Sequence, residues 1–122
     1  MPNDSGKEIC MKKIEIITRP DKLDIIKRVL AKNEYSGMTV TAAMGCGRQR
    51  TSSQNFEDLN EELNLIPKIY VMTVVWDEDL EEIICELQEN LTTGSVGDGK
   101  MFISNIEDVV RIRSGERGEK IL

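Results

Sequence analysis

Gly94-Ser95-Val96-Gly97-Asp98-Gly99-Lys100 sets three glycines, an aspartate and a lysine in seven residues between two apolar segments. Glycine accepts positive φ and lets another group approach the backbone with no Cβ in the way. Successive exposed N–H groups in such a turn form a nest for an anion, and a lysine at its edge adds a point charge. The same residues also read as a plain turn, because Asp-Gly is a strong hairpin signal. What stands on either side decides the fold. Gly94, Gly99 and Lys100 match the start of G-x-x-x-x-G-K, which in a P-loop follows a strand, opens a helix and carries Ser or Thr next to hold Mg²⁺. Here the next residue is Met101, the preceding segment reads as helix, and Met101-Phe102-Ile103-Ser104 reads as strand. The P-loop fold is excluded, and a phosphate bound here is bound in another architecture.

Working back from the turn, Leu80, Ile83, Ile84 and Leu87 have helical spacing, and Asp79 with Glu82 resembles a capping box at its start. Lys68–Trp76 is the strongest strand of the chain, β-branched and aromatic, and Pro67 precedes it. Residues 45–66 read as one long loop, glycine-rich and basic at Gly45-Cys46-Gly47-Arg48-Gln49-Arg50, then polar and acidic, with Phe56, Leu59 and Leu63 as anchors. A loop of that length in a compact domain is functional or disordered. Met38–Met44 reads as a second strand, and Tyr35-Ser36-Gly37 as the turn before it. A helix carries Leu23, Ile26, Val29 and Leu30, with Asp21 as its cap, and fades at Asn33. Met11–Thr18 is a first strand ended by Arg19-Pro20. After the glycine turn, Met101–Ser104 and a short Val109–Arg113 strand lead to a charged tail. The expected fold is α+β, a ferredoxin-like βαββαβ sandwich in one domain over residues 11–122, behind a polar lead at residues 1–10. Two helices on one sheet face leave an apolar second face, which predicts oligomerisation.

Composition narrows the function. The net charge of −6 disfavours nucleic acid and anionic membranes, and 4% aromatics disfavours a base-stacking platform. The absence of histidine removes Ser-His and Cys-His nucleophiles and His-ligated metal sites. Cys10, Cys46 and Cys85 are far apart and odd in number, and read as free thiols of a reducing compartment. With no signal-peptide pattern and no apolar run of membrane-spanning length, the expected location is cytoplasmic, without membrane insertion.

Six segments in order give a further reading. Met11-Lys12-Lys13-Ile14-Glu15 with Arg19-Pro20 and Lys22-Leu23-Asp24; Gly37-Met38-Thr39-Val40-Thr41; Gly45-Cys46-Gly47-Arg48-Gln49; Pro67-Lys68; Thr93-Gly94 with Gly97-Asp98-Gly99-Lys100; and Arg111-Ile112-Arg113-Ser114-Gly115-Glu116-Arg117-Gly118 together resemble the PII signal-transduction family, the GlnB/GlnK proteins. The resemblance implies a homotrimer with ATP or ADP held between subunits. Residues matching Gly97, Asp98, Gly99 and Lys100, with Arg111 and Arg113, would hold the phosphates. Gly37, Met38 and Thr39 would come from the neighbouring subunit, Val74 would line the pocket, and Gly47, Arg48 and Gln49 would complete the nucleotide set. Gln49 would also coordinate Mg²⁺, while Gln49, Arg50 and Lys68 would hold 2-oxoglutarate. Taken alone, Lys68 is an ordinary strand-end charge, and Arg111 and Arg113 a solvated strand edge.

The resemblance also makes residues 45–66 a T-loop, the element that binds a target such as an ammonium transporter, glutamine synthetase, nitrogenase or another enzyme. The loop departs from the family pattern. Thr51 replaces a glycine at the effector wrap. Phe56 and Glu61 stand where tyrosines are usual, the second a uridylylation target, and Leu59 stands at a phosphorylated serine's position. Glu57, Asp58, Glu61 and Glu62 replace a basic centre. The leading expectation is therefore a non-enzymatic regulator of nitrogen, carbon and energy status, its loop set by ligand-dependent population shift. One alternative is a PII-like trimer that senses adenine nucleotides plus another small effector. The other is a slow ATPase, for which no base is placed to orient water.

Overall fold

The computed structural model describes residues 10–48, 63–118 and 121–122. Its strands are β1 (Met11–Thr18), β2 (Thr39–Arg48), β3 (Leu63–Trp76) and β4 (Lys100–Ile106), and its helices α1 (Leu23–Lys32) and α2 (Leu80–Leu91). They form one antiparallel sheet of order β2-β3-β1-β4. That order joins two β-α-β halves in the expected ferredoxin-like arrangement.

Alternation along the strands explains the layering. Ile14, Ile16 and Thr18 of β1 and Ile69, Val71, Thr73 and Val75 of β3 are buried beneath the helices. Ile26, Val29 and Leu30 of α1 and Leu80, Ile83, Leu87 and Leu91 of α2 close the core from above. Burying each such aliphatic side chain contributes about 1.5–3 kcal/mol. Lys32 pairs with Glu86 between the helices, and Asn33 donates to the same carboxylate at 2.8 Å. The opposite sheet face carries Ile17, Tyr70, Met72, Val74 and Phe102, and Phe102 is 50% exposed. Among the described residues no helix or strand covers that face.

Several sequence expectations shift. β2 runs on to Arg48 and β3 begins at Leu63, so both ends of the expected 45–66 loop are paired strand, Gly45 opposite Ile66 and Arg48 opposite Leu63. Pro67 lies inside β3, beyond the reach of the β1 ladder, where its missing N–H costs no pairing on that side. Residue 10 belongs to the sheet end rather than to a free lead, because Asp77 N–H donates to the Cys10 carbonyl at 2.7 Å. Asp21 lies within a 3-10 turn, Pro20–Lys22, and caps α1 through no side-chain bond. Asp79 makes no cap bond either; its carboxylate accepts the Tyr35 hydroxyl at 2.6 Å. Val109–Arg113 is no strand. Gly115 turns the chain at φ +78, and Val110 bridges back to Arg117. Residues 1–9, 49–62 and 119–120 lie outside the described set, and with them the readings of Gln49, Arg50, Thr51, Phe56, Leu59 and Glu61.

Candidate functional site

The glycine turn stands at the sheet end where β1 finishes, because β4 runs antiparallel to β1 and pairs Lys100 with Ile17. Gly99, at φ +102, lies so close to β1 that a Cβ there would sit 1.9 Å from the Ile17 carbonyl oxygen. Only glycine fits. The buried Thr18 hydroxyl donates to the Asp98 carbonyl at 2.8 Å and pins the turn from below. The Asp98 side chain folds inward. It accepts Thr93 N–H at 2.7 Å, Gly94 N–H at 3.0 Å and the Thr93 hydroxyl at 2.5 Å, and it pairs with Arg19. Thr93's hydroxyl and backbone bonds hold the Asp98 carboxyl well below the usual carboxylate range, with Arg19 and Gly94 assisting and partial burial opposing. Asp98 is thus the buckle of the turn, ionised at neutral pH.

Lys68 reaches the turn from β3, its ammonium donating to the Gly97 carbonyl at 2.9 Å. Lys68 and Lys100 both lie on the uncovered sheet face, since each pairs within the set that alternates away from the helices. Lys68 is therefore more than the strand-end charge it resembles in isolation: the fold brings it to the glycine turn.

The second group of expected residues collects elsewhere. Gly37, Met38, Thr39 and Val74 line one cavity of about 750 Å³, together with Tyr35 and Trp76. The buried Thr73 hydroxyl donates to the Gly37 carbonyl at 2.7 Å and fixes this wall. Tyr35 donates to Asp79, accepts Trp76 N–H at 2.9 Å and meets the Trp76 ring edge-on, with centroids 6.1 Å apart. Burial first, and the bond to Asp79 second, push the Tyr35 phenol up to about 12. The two groups stand at opposite sheet ends. Val74 lies six positions after Lys68 along β3, about 20 Å at strand rise.

Arg111 and Arg113 belong to the C-terminal bridge rather than to the turn. Arg111 pairs with Glu116, and its N–H donates to the Glu116 carbonyl at 2.8 Å. Arg113 is exposed and has no ion pair among the described residues. Gly47 and Arg48 end β2. Sequence reading missed the residues that hold the turn: Arg19, Thr18, Thr93 and Ser95. The usable signal was topological, since β1 ends beside the start of β4 in this fold and Arg19 is the first residue past that end.

The family model described as nitrogen regulatory protein P-II matches residues 11–116. The chain belongs to the P-II family. A P-II protein of Rhizobium meliloti strain 1021 is 43% identical over 108 residues, 88% of this chain and 96% of that protein. P-II 2 of Methanothermobacter thermautotrophicus is 41% identical over 112 residues, 92% of this chain and 97% of that one. Among solved structures, the B. subtilis GlnK-ATP complex matches with a TM-score of 0.77 at 31% identity, covering 93% of this chain and 96% of GlnK. Arabidopsis thaliana PII bound to citrate matches with a TM-score of 0.73 at 32% identity, covering 96% of each chain. The P-II match spans both groups of residues described above.

Proposed function

We propose that this P-II chain is a regulatory protein that binds ATP and ADP between copies of itself and reports the bound state to a target through residues 45–66. One observation carries the reading. The phosphate-type turn with Lys68 and the cavity with Gly37, Met38, Thr39 and Val74 are separate halves about 20 Å apart on one chain. A neighbouring copy presents the second half to the first. The uncovered sheet face with Phe102 and Met72 supplies the apolar surface for assembly, as a homotrimer. The GlnK-ATP complex supports the nucleotide, and the citrate-bound PII supports a small acid as effector.

In this reading Gly97–Lys100 offers backbone N–H groups and an ammonium to the phosphates, with Arg111 and Arg113 added as the site closes and Arg111 exchanging Glu116 for phosphate. Gly47 and Arg48, at the end of β2, lead into the effector segment. Mg²⁺, a hard cation that takes few protein oxygens, would use the Gln49 amide oxygen and supply charge neutralisation at the phosphates. Lys68, with Gln49 and Arg50, would receive a 2-oxoglutarate carboxylate. The protein would act in the cytoplasm as a non-enzymatic regulator; among the described residues no helix is long and apolar enough to cross a membrane. Thr51, in place of glycine, favours a second reading with a different small effector.

Calorimetric titration of ATP with Mg²⁺, with and without 2-oxoglutarate, tests both. Binding of 2-oxoglutarate only in the presence of Mg²⁺-ATP supports the first reading. Nucleotide binding with no 2-oxoglutarate response supports the second. No nucleotide binding refutes the proposal.

A further inference from the structure

Arg19 is the first residue after β1, and its side chain runs beneath the glycine turn rather than into solvent, one-third exposed. Its guanidinium forks across the turn. One nitrogen, Nη1, pairs with Asp98 Oδ1 at 2.5 Å and lies 3.4 Å from Thr93 Oγ1, while Nη2 donates to Ser95 Oγ at 2.7 Å. The groups it joins belong to both ends of the turn. A Cβ at Gly97 would stand 2.5 Å from Nη2, so the middle glycine is what lets the guanidinium lie there.

Asp98 creates the need. A turn that offers N–H groups to an anion has a carboxylate in its middle, whose charge repels the ligand across a few ångströms. Turning that carboxylate inward onto Thr93 and Gly94 and setting Arg19 against it removes the repulsion. Lys100 then meets an approaching anion with no opposing charge beside it. A lysine could neutralise Asp98 as a point charge but could not span Asp98 and Ser95 at once.

From this we infer that Arg19 is the positioning residue of the anion-binding turn, fixing its shape through Asp98, Thr93 and Ser95 and cancelling the Asp98 charge without touching the ligand. The inference rests on the phosphate reading of the turn. Its consequence is graded by ligand charge: removing Arg19 weakens ATP more than ADP and leaves adenosine nearly unaffected.

The test compares the full-length wild type with Arg19→Ala, Arg19→Lys, Asp98→Asn and the Arg19→Ala/Asp98→Asn double variant. Calorimetry reads binding of ATP, ADP and adenosine, and amide exchange reads the Thr93 and Gly94 N–H groups without ligand. Arg19→Ala is expected to lose about tenfold or more in ATP affinity, the scale of a charge-assisted hydrogen bond. Arg19→Lys should recover part of that loss, and the double variant should lose no more than Arg19→Ala alone. Thr93 and Gly94 should exchange faster in Arg19→Ala. Wild-type ATP affinity in Arg19→Ala overturns the inference. So does a double variant whose loss is the product of the single losses, because Arg19 would then act independently of Asp98. If the wild type binds no nucleotide, the proposed function falls, and the exchange arm still decides: unchanged Thr93 and Gly94 exchange overturns Arg19's hold on the turn.

Discussion

Replacing Gly99 by alanine should detach the glycine turn from β1. The new Cβ would lie 1.9 Å from the Ile17 carbonyl oxygen, 2.9 Å from its carbon and 3.0 Å from Thr18 Cα. These are backbone atoms at the end of a central strand, so no side chain can swing away. Restoring even a 3.0 Å contact to the oxygen separates the two backbones by at least about 1.1 Å, enough to break the 2.8 Å bond from the buried Thr18 hydroxyl to the Asp98 carbonyl. A non-glycine residue at φ +102 costs about 1–3 kcal/mol. The orphaned Thr18 hydroxyl adds about 1–3 kcal/mol, for a total of about 2–6 kcal/mol. Urea unfolding at fixed protein concentration reads this loss, with Gly94→Ala as the control. Gly94 also has positive φ, +82, but open space around its absent Cβ, so it carries the conformational cost alone. A Gly99→Ala variant no less stable than Gly94→Ala would refute the claim that close approach to β1 dictates this glycine.

Other perturbations separate the parts of the account. Gly97→Ala displaces the Arg19 guanidinium, a flexible group, so it should cost less stability than Gly99→Ala while reproducing the ATP weakening of Arg19→Ala; calorimetry and unfolding checked together distinguish the two. Tyr35 ionises above its ordinary value of 10.0, which means its neutral form is favoured in the fold; the stability it contributes is complete below pH about 10 and disappears as pH rises towards 12. Thermal scans across that window should show the wild type falling further than Tyr35→Phe, and parallel curves would contradict it. Phe102→Asp places a charge on the uncovered sheet face and should leave a folded chain that elutes as a monomer; a trimer of wild-type size would refute the assembly surface.

Much of the fold was legible because its signals are local. β1 runs over Met11–Thr18 as its alternation indicates, and α1 ends where the apolar spacing stops at Asn33. The errors have physical causes. Gly45 reads as a strand breaker, yet it sits within β2 where a Cβ would press within 3.1 Å of the Lys68 side chain, so the glycine makes room for that lysine. Val109 to Arg113 has β-type residues but no neighbouring strand to join, and the chain folds back on itself through Gly115. Asp79 reads as a helix cap, but a tyrosine 44 residues earlier takes its carboxylate. Partners that distant leave no mark in local spacing, and Arg19 with Asp98, 79 residues apart, escapes for the same reason. The glycine turn itself was legible, since its composition states its geometry.

In the proposed function two copies build each nucleotide site. Mixing two disabled variants tests this: Lys100→Ala, which impairs the turn, and Val74→Lys, which impairs the cavity. Each alone should bind ATP poorly. Unfolded and refolded together, they should regain about a quarter of the wild-type sites, the fraction of interfaces that pair an intact turn with an intact cavity from different chains. A mixture that binds no more ATP than the separate variants would place both halves on one chain and refute assembly of the site between copies.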